Sequence, residues 1–532
     1  MKTQFLKGTL FSILLFVSLL SISCGGGGGD SPPPPPPSDT TAPSVPGSLI
    51  ANKISTGQID LSWNASTDNR GVAGYKIYRN TAFLTTVTSN SRSDMGLANN
   101  TSYCYGVSAV DAAGNESGRS NEACVRTHDS WTKQWGSTAD DEARGIISDS
   151  SGNIYITGLS RGNIDGQANA GDSDAFLAKY DSSGRRQWTR YIGTSGTDWG
   201  QAVDVDGDGN IYVTGSVSGS FAGKTYNGGK DVFLAKYDSS GNRLWYQQWG
   251  TSTDNFGYGV KVYGTVVYVT GPTYEDLPGE TGNLIPNIFL SKRSTTDGSV
   301  SLPTILYGTE DYSDYVEGIA LDSSGNIYLT GYTTGAFEGN NNATYDVFLA
   351  KFNASLINQW TRQWGSTTHD YGRGVAVDGN DNIYVTGSAG GNIIGGPTGS
   401  GGDDIFLTKI TNAGTVLWTK LFGTSDLDRA YGITIDNSDV IYMTGVTLGS
   451  LGGGTNLGQG DVFLMQCDSA GNQVWTMLLG TSAGDVGTGA AFNISDGYIY
   501  VTGNTSGNLD GNINAGGFDV FLLKYNSSGT KQ

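Results

Sequence analysis

Histidine is almost missing from this chain: there are two, His128 and His369. A histidine-dependent catalytic triad or a histidine-rich metal centre is therefore not expected. Charge is also sparse, at 15% of residues, and it is lopsided, with a formal net charge of −19. Nucleic acid, whose phosphates need Lys and Arg, is excluded as a partner. No stretch repeats with the 3.6-residue period of a helix. The one long apolar run, residues 10–20, falls short of the ~20 residues that a membrane span needs. Cysteine is limited to four positions, and Arg-Gly-Asp does not occur.

What is abundant points elsewhere. Glycine reaches 81 residues and aromatics 11%. A disordered chain would lack the aromatics. Together with frequent Thr and Val they indicate many short strands joined by tight turns, an all-β protein.

The N-terminus reads as an address. Lys2 and Lys7 precede the apolar run, and small residues lead to Cys24, as in a secretory signal. Ser21-Ile22-Ser23-Cys24 resembles a bacterial lipoprotein signal, although Ser21 stands where that family has Leu. The resemblance implies lipidation of Cys24, removal of residues 1–23 and anchoring to a membrane by acyl chains. Gly25 after the cysteine implies, by the same resemblance, the outer membrane and cell surface of a Gram-negative bacterium. Residues 24–41 hold a glycine run and six consecutive prolines, a flexible coil followed by a stiff spacer. A tether is the expected role.

Residues 42–127 alternate polar and apolar residues in short pieces, such as Gln58-Ile59-Asp60-Leu61-Ser62-Trp63 and Tyr75-Lys76-Ile77-Tyr78. That pattern predicts a β-sandwich. The order of the pieces resembles a fibronectin type III domain, which implies a core role for Trp63 and a tyrosine corner at Tyr103. Cys104 and Cys124 fall on the last two expected strands. In an oxidising compartment they are expected to pair. Cys467 stands where other repeats carry Tyr or Phe, so a buried thiol is expected there.

From residue 131 to the C-terminus one unit recurs seven times, with 56 to 59 residues between Phe176, Phe233, Phe289, Phe348, Phe406, Phe463 and Phe521. Each unit offers four strand-like pieces, which is the pattern of a propeller blade. The chain reaches Gln532 where a fourth strand is due, and a spare one, residues 131–136, precedes the array. A seven-bladed ring completed by that spare strand is the expected architecture. Runs of the form Asp-x-x-Gly-Asn-Ile-Tyr-x-Thr-Gly, at Asp149 to Gly158 and Asp322 to Gly331, resemble the bacterial seven-bladed β-propeller repeat family. That family implies a fold and no particular activity. The stretch Ala235 to Trp245 resembles the tryptophan-docking turn of quinoprotein propellers. By that resemblance Trp188, Trp245, Trp360, Trp418 and Trp475 lock neighbouring units, with no cofactor implied.

In such a ring the short Asp/Ser/Gly turns share one face. The long loops 159–173, 272–286 and 388–403 share the other, which is the expected binding face. Two repeat positions stand out there. Asp141, Asp198, Asn255, Asp314, Asp370, Asp428 and Asp485 form one column; Asp198, Asp314 and Asp370 are its candidate ligand-binding members. The alternative is that each simply bonds its own turn. The next position gives Trp199, Phe256, Tyr315 and Tyr371 in four successive units, aromatics that suit sugar rings or a peptide. Packing between units is the alternative. Asp204, Asp206 and Asp208 alternate with Val and Gly as at the start of a calcium loop, which makes Ca²⁺ the one candidate cofactor. The competing reading is an ordinary hairpin turn.

No residue is singled out as catalytic, because every unit offers nearly the same Asp. The expected function is that of a membrane-tethered, monomeric surface protein that binds a glycan or an extracellular protein. The alternatives are a polysaccharide hydrolase or lyase using carboxylates of that face, and a purely structural envelope protein.

Overall fold

The computed structural model describes residues 38–54, 57–98, 101–127, 131–275, 287–309, 312–337, 345–393 and 399–532. Residues 1–23, Cys24 and most of the tether lie outside them. The chain divides into two compact units, Met1–His128 and Asp129–Gln532.

The first unit has seven strands: β1 (Gly47–Lys53), β2 (Gln58–Asn64), β3 (Val72–Arg79), β4 (Ala82–Val87), β5 (Ser91–Met95), β6 (Ser102–Asp111) and β7 (Ala123–Arg126). They form a three-stranded sheet β1-β2-β5 and a four-stranded sheet β4-β3-β6-β7. Alternation sends Ile59, Leu61, Trp63, Ile77, Tyr105 and Val107 into one shared core. Trp63 is 3% exposed and meets Tyr75 edge-on at 5.4 Å. The Tyr103 hydroxyl accepts the backbone N–H of Ala98 at 3.0 Å, a tyrosine corner that pins the entry to β6. Cys104 and Cys124 sit directly opposite each other on β6 and β7 and form a disulfide.

The second unit contains seven four-stranded antiparallel sheets. The first comprises Asp141–Ser148, Ile154–Ser160, Asp174–Tyr180 and Arg186–Ile192. The next five repeat this order. The seventh takes three strands from the C-terminal end, Asp485–Asn493, Tyr498–Thr505 and Asp519–Tyr525, and its fourth, Lys133–Trp135, from the start of the array. Phe521 pairs with Gln134 across that joint. Each sheet's first strand lies against the first strand of the next, and the seventh sheet's first strand lies against that of the first sheet.

Each residue of the recurrent motif has its own local task. The turn Asp149 accepts the backbone N–H groups of Ser151 and Asn153, the Asn153 amide and the Tyr155 hydroxyl. The motif threonine donates to the carbonyl of the strand-three phenylalanine in every sheet, as Thr157 to Phe176 and Thr386 to Phe406, each at 2.7 Å. The motif glycine faces a bulge in the first strand. A Cβ on Gly387 would stand 1.8 Å from the Tyr371 carbonyl oxygen. Only glycine lets the two strands approach so closely.

Sheets are clasped to one another by a repeated pair of contacts. A lysine on the third strand donates to a turn carbonyl of the next sheet, as Lys179 to Ser239, Lys236 to Thr295 and Lys292 to Ala354. Gln466 replaces it once, and Lys524 closes the cycle on Ser182. Beside it a tryptophan covers the turn glycine of the next sheet: Trp188 on Gly241, Trp245 on Gly298, Trp360 on Gly414, Trp418 on Gly471 and Trp475 on Gly529. Trp131 does the same on Gly184. Between the third and fourth sheets both partners change together. Leu302 stands opposite Lys292 in the tryptophan's register. Leu356 takes the glycine's place at φ 62° and is 5% exposed, filling the vacated space. Cys467 is a fully buried thiol, pushed up to about 12 by that burial.

Replacing both Cys104 and Cys124 by Ser should lower the stability of the first unit by about 3 kcal/mol. Calorimetry of the full chain should show its transition moving down while that of the second unit stays in place.

Candidate functional site

First strands run from the long-loop end of each sheet toward the short-turn end. Their alternation presents three tiers to the space they enclose. The outermost tier is the residue after the motif Asp: Glu142, Trp199, Phe256, Tyr315, Tyr371, Arg429 and Val486. Two residues on come Arg144, Gln201, Tyr258, Glu317, Arg373, Tyr431 and Thr488. A third tier is aliphatic, including Ile146, Val203, Val260, Ile319, Val375 and Ile433. The middle tier, with Glu142 and Asn504, lines a single cavity of about 360 Å³ to which all seven sheets contribute. Below it a second cavity of about 200 Å³ is walled by the middle and aliphatic tiers.

Glycine and bulge together aim the outer tier. The carbonyl pressed against the motif glycine belongs to the outer-tier residue itself, to Trp199 at Gly215 and to Tyr371 at Gly387. The four aromatics anticipated at this position fall into two groups. Trp199 stacks with Phe256 at 6.2 Å and 16°. Tyr315 stacks with Tyr332 at 5.0 Å, and Tyr332 meets Tyr371 edge-on at 5.0 Å. Tyr345 and His369 extend the group beside Tyr371. All four are half-buried. Both groups stand one tier outward of the residues that line the cavity, and none of the four lines it. Lys230 holds its ammonium 4.1 Å from the Trp199 ring centroid.

The middle tier is polar and mostly self-paired. Arg144 donates to Glu142 and to the Gln201 side-chain oxygen, each at 3.1 Å. Arg373 approaches Glu317 at 3.9 Å, and its guanidinium lies 5.0 Å from the Tyr431 ring centroid and 5.4 Å from that of Tyr371. Burial pushes the Glu317 carboxyl above its ordinary range, and Arg373 and Arg144 hold it back. Tyr258 is pushed up to about 12, chiefly by burial and then by Glu317. Sequence reasoning missed this tier because its seven members share no residue type. The available signal was its place, two residues beyond the aromatic column on the same face of the strand.

The aspartate column lies elsewhere. Asp198, Asp314 and Asp370 are fully buried. Each accepts the backbone N–H of the Ser or Thr that opens its own turn: Thr194, Thr309 at 2.6 Å and Ser366 at 2.6 Å. These contacts match the turn-bonding alternative, and none of the three lines the cavity. The strand-three aspartates crowd against the column: Asp198 adds to the upward shift of Asp174, Asp346 to that of Asp370 and Asp519 to that of Asp141, each beside the larger effect of burial.

The calcium-like triplet is not brought together. Asp204 accepts the Val262 N–H at 2.8 Å and faces Lys261. Asp206 bonds its own hairpin, accepting from Asp208 N–H, Asn210 and Tyr212 as Asp149 does in the first sheet. Asp208 is exposed. Among the described residues, two groups bring three acidic or thiol ligand atoms within 4.8 Å of one another, and both are in the first unit. One includes the disulfide sulfurs. The other is Asp39, Asp68 and Asp111.

The family described as a beta-propeller repeat matches at residues 130–165, 187–222, 304–338 and 359–395. Each matched segment runs from a fourth strand across a junction into the first two strands of the next sheet. These matches support a repeat β domain. Chitinase A1 of Niallia circulans is 51% identical over 89 residues, 17% of this chain and 13% of that protein. Regulatory protein FlaEY of Caulobacter vibrioides is 28% identical over 346 residues, 57% of this chain and 36% of that protein. The chain therefore spans well under two thirds of the length of either relative. Among solved structures, FN3tt is 23% identical, with 17% of this chain and 98% of that chain covered and a TM-score of 0.15.

Burial raises ten carboxylates of the two aspartate columns. Asp174, Asp314 and Asp370 reach about 6, and Asp141, Asp198, Asp231, Asp404, Asp461, Asp485 and Asp519 move in the same direction. Between about pH 4 and 6 the folded state holds protons that the unfolded chain has released, so stability falls as pH rises through that window. The lowered turn carboxylates Asp206 and Asp322 act oppositely, and their share is lost in stronger acid. The second unit should melt several degrees higher at pH 5 than at pH 7. A lower melting temperature at pH 5 would refute this assignment.

Proposed function

We propose that the seven sheets are the blades of one closed propeller, and that its loop-rich face binds a glycan or an extracellular protein. The observation that carries this reading is the cavity shared by all seven sheets, with two aromatic groups one tier outward of its lining. Half-buried aromatics beside hydroxyls and charged groups suit the faces of sugar rings and the side chains of a docked peptide. The cyclic order of the first strands and the seventh sheet's borrowed fourth strand support the closed ring. Closure removes sheet edges that would otherwise pair with other chains.

Lipidation at Cys24, with the tether behind it, places this face at a cell envelope in the same proposal. The 89-residue similarity to proteins named as chitinases fits a sandwich that accompanies polysaccharide-directed proteins. Catalysis is the second reading, and one feature favours it. Glu142 is held by Arg144 at 3.1 Å, whereas Glu317 meets Arg373 only at 3.9 Å and burial pushes its carboxyl upward against the pull of both arginines. Acid–base chemistry on a glycosidic bond needs two such distinct carboxyls.

Glycan-array binding by the full chain tests the first reading. Trp199→Ala and Tyr371→Ala should each weaken binding by up to about tenfold, the loss of roughly 0.5–1.5 kcal/mol of stacking. Polysaccharide turnover that disappears in Glu317→Gln would replace binding with catalysis. Deleting residues 131–136 should leave the seventh blade short of its fourth strand and the protein prone to aggregate. A truncated protein that melts like the intact one would overturn the closed ring.

A further inference from the structure

We propose that Asp39, Asp68 and Asp111 form a binding site for one calcium ion in the first unit, where the chain enters the sandwich. The site is independent of the cavity in the second unit and of whatever binds there.

The three residues come from three separate segments. Asp39 lies ahead of β1, Asp68 lies in the connection between β2 and β3, and Asp111 closes β6. One carboxylate oxygen from each lies within 4.8 Å of the other two. Calcium holds its oxygens at about 2.3–2.6 Å, so two ligands of one ion stand at most about 5 Å apart. The spacing therefore fits a single ion. All three donors are oxygens, which suits calcium or magnesium and not the metals that prefer imidazole or thiolate.

Burial separates this group from an ordinary patch of surface acids. The Asp39 side chain is 5% exposed and Asp111 is 4% exposed. Asp68 Oδ2 accepts the backbone N–H groups of Arg70 and Gly71, at 2.8 and 2.9 Å. That leaves Oδ1, which is sealed from solvent and has no hydrogen-bond partner. A buried carboxylate oxygen without a donor is costly, and a bound cation removes the cost. The turn aspartates of the second unit differ in this respect. Asp149 fills both of its oxygens from its own hairpin.

Charge points the same way. Three carboxylates this close repel one another. The Arg70 guanidinium, with Nε 3.7 Å from Asp39 Oδ2, is half-exposed and offsets part of that repulsion. Donors already orient the oxygens. Thr41 N–H and the Asn69 amide bond Asp39 Oδ1, and Asn115 bonds both oxygens of Asp111. The Asn115 amide above all holds the Asp111 carboxyl below its ordinary range, so it is charged near neutrality. Asn115 also donates to the Asp39 carbonyl at 3.1 Å, and Ser44 N–H to the Thr67 carbonyl at 2.8 Å. An ion among the three carboxylates would fasten residues 38–46 to both connections at this end of the sandwich.

Isothermal titration of the chelator-treated full chain with CaCl₂ tests the proposal. The chain should take up one ion. MgCl₂ should bind at least tenfold more weakly, because magnesium gives up its water shell reluctantly. In calorimetry, calcium at about 1 mM should raise the transition of the first unit by several degrees and leave that of the second in place. Asp39→Asn and Asp68→Asn each keep the side-chain shape and an acceptor for the local N–H groups. Each should weaken calcium binding by tenfold or more. Each should also melt in chelator no lower than the parent chain, because the substitution relieves repulsion. Asp208→Asn, in a hairpin of the second unit, should bind calcium as the parent does. Absence of calcium binding, equal affinity for magnesium, or a full calcium response in Asp39→Asn and Asp68→Asn would each overturn the proposal. Loss of the response in Asp208→Asn would overturn it by moving the ion to the other unit. Variants that are destabilised as much in chelator as in calcium would assign the three carboxylates to the fold alone and overturn it too.

Discussion

No sheet of the second unit can stand alone. Its second and third strands are buried on both faces, as in Ile154–Ser160 and Asp346–Phe352, where every residue is enclosed. Only a neighbour on each side supplies that enclosure, so the stability of one sheet is conditional on the next. The lysine and tryptophan clasp makes the dependence specific. It recurs at all seven junctions in adapted forms, and it includes the joint where Lys524 and Trp131 bring the two ends of the array onto the first sheet. The paired change to Leu302 and Leu356 shows that the constraint is on filled volume, not on tryptophan as such.

The same packing creates the site. Each sheet's first strand packs against the first strands of its two neighbours, so the seven first strands line one shared cavity. Whatever those strands carry at alternate positions becomes a shared lining. The motif glycine contributes twice here. It admits the bulge, and the bulge sets where the aromatic of the outer tier projects. Scaffold and site are thereby coupled through the backbone: a side chain added at Gly387 would push directly on Tyr371.

Repetition in the sequence marks the scaffold, and departure from repetition marks the site. The Asp-x-x-Gly-Asn-Ile-Tyr-x-Thr-Gly runs were legible because each residue performs the same local task in each sheet: Asp149 and Asp322 gather their turns, and Tyr155 and Tyr328 close them. The aspartate column was equally visible, yet its members are sealed inside the junctions. Trp199, Phe256, Tyr315 and Tyr371 were legible as an aromatic column, and they form two groups, Trp199 with Phe256 and Tyr315 with Tyr371 through Tyr332. Arg144, Glu317 and Arg373 were not legible. Their column mixes Arg, Gln, Tyr, Glu and Thr, and no local pattern says that residues so far apart in the chain meet at one cavity.

The sequence by itself determined the strands, the turns, the seven units and the disulfide-bearing sandwich, because these follow from short-range alternation, turn chemistry and spacing. Only the tertiary structure decided which of two buried-looking columns faces the cavity. Register, the first-strand bulge and the convergence of seven separate strands turn one residue inward and its neighbour into the wall, and none of these is encoded within a single repeat.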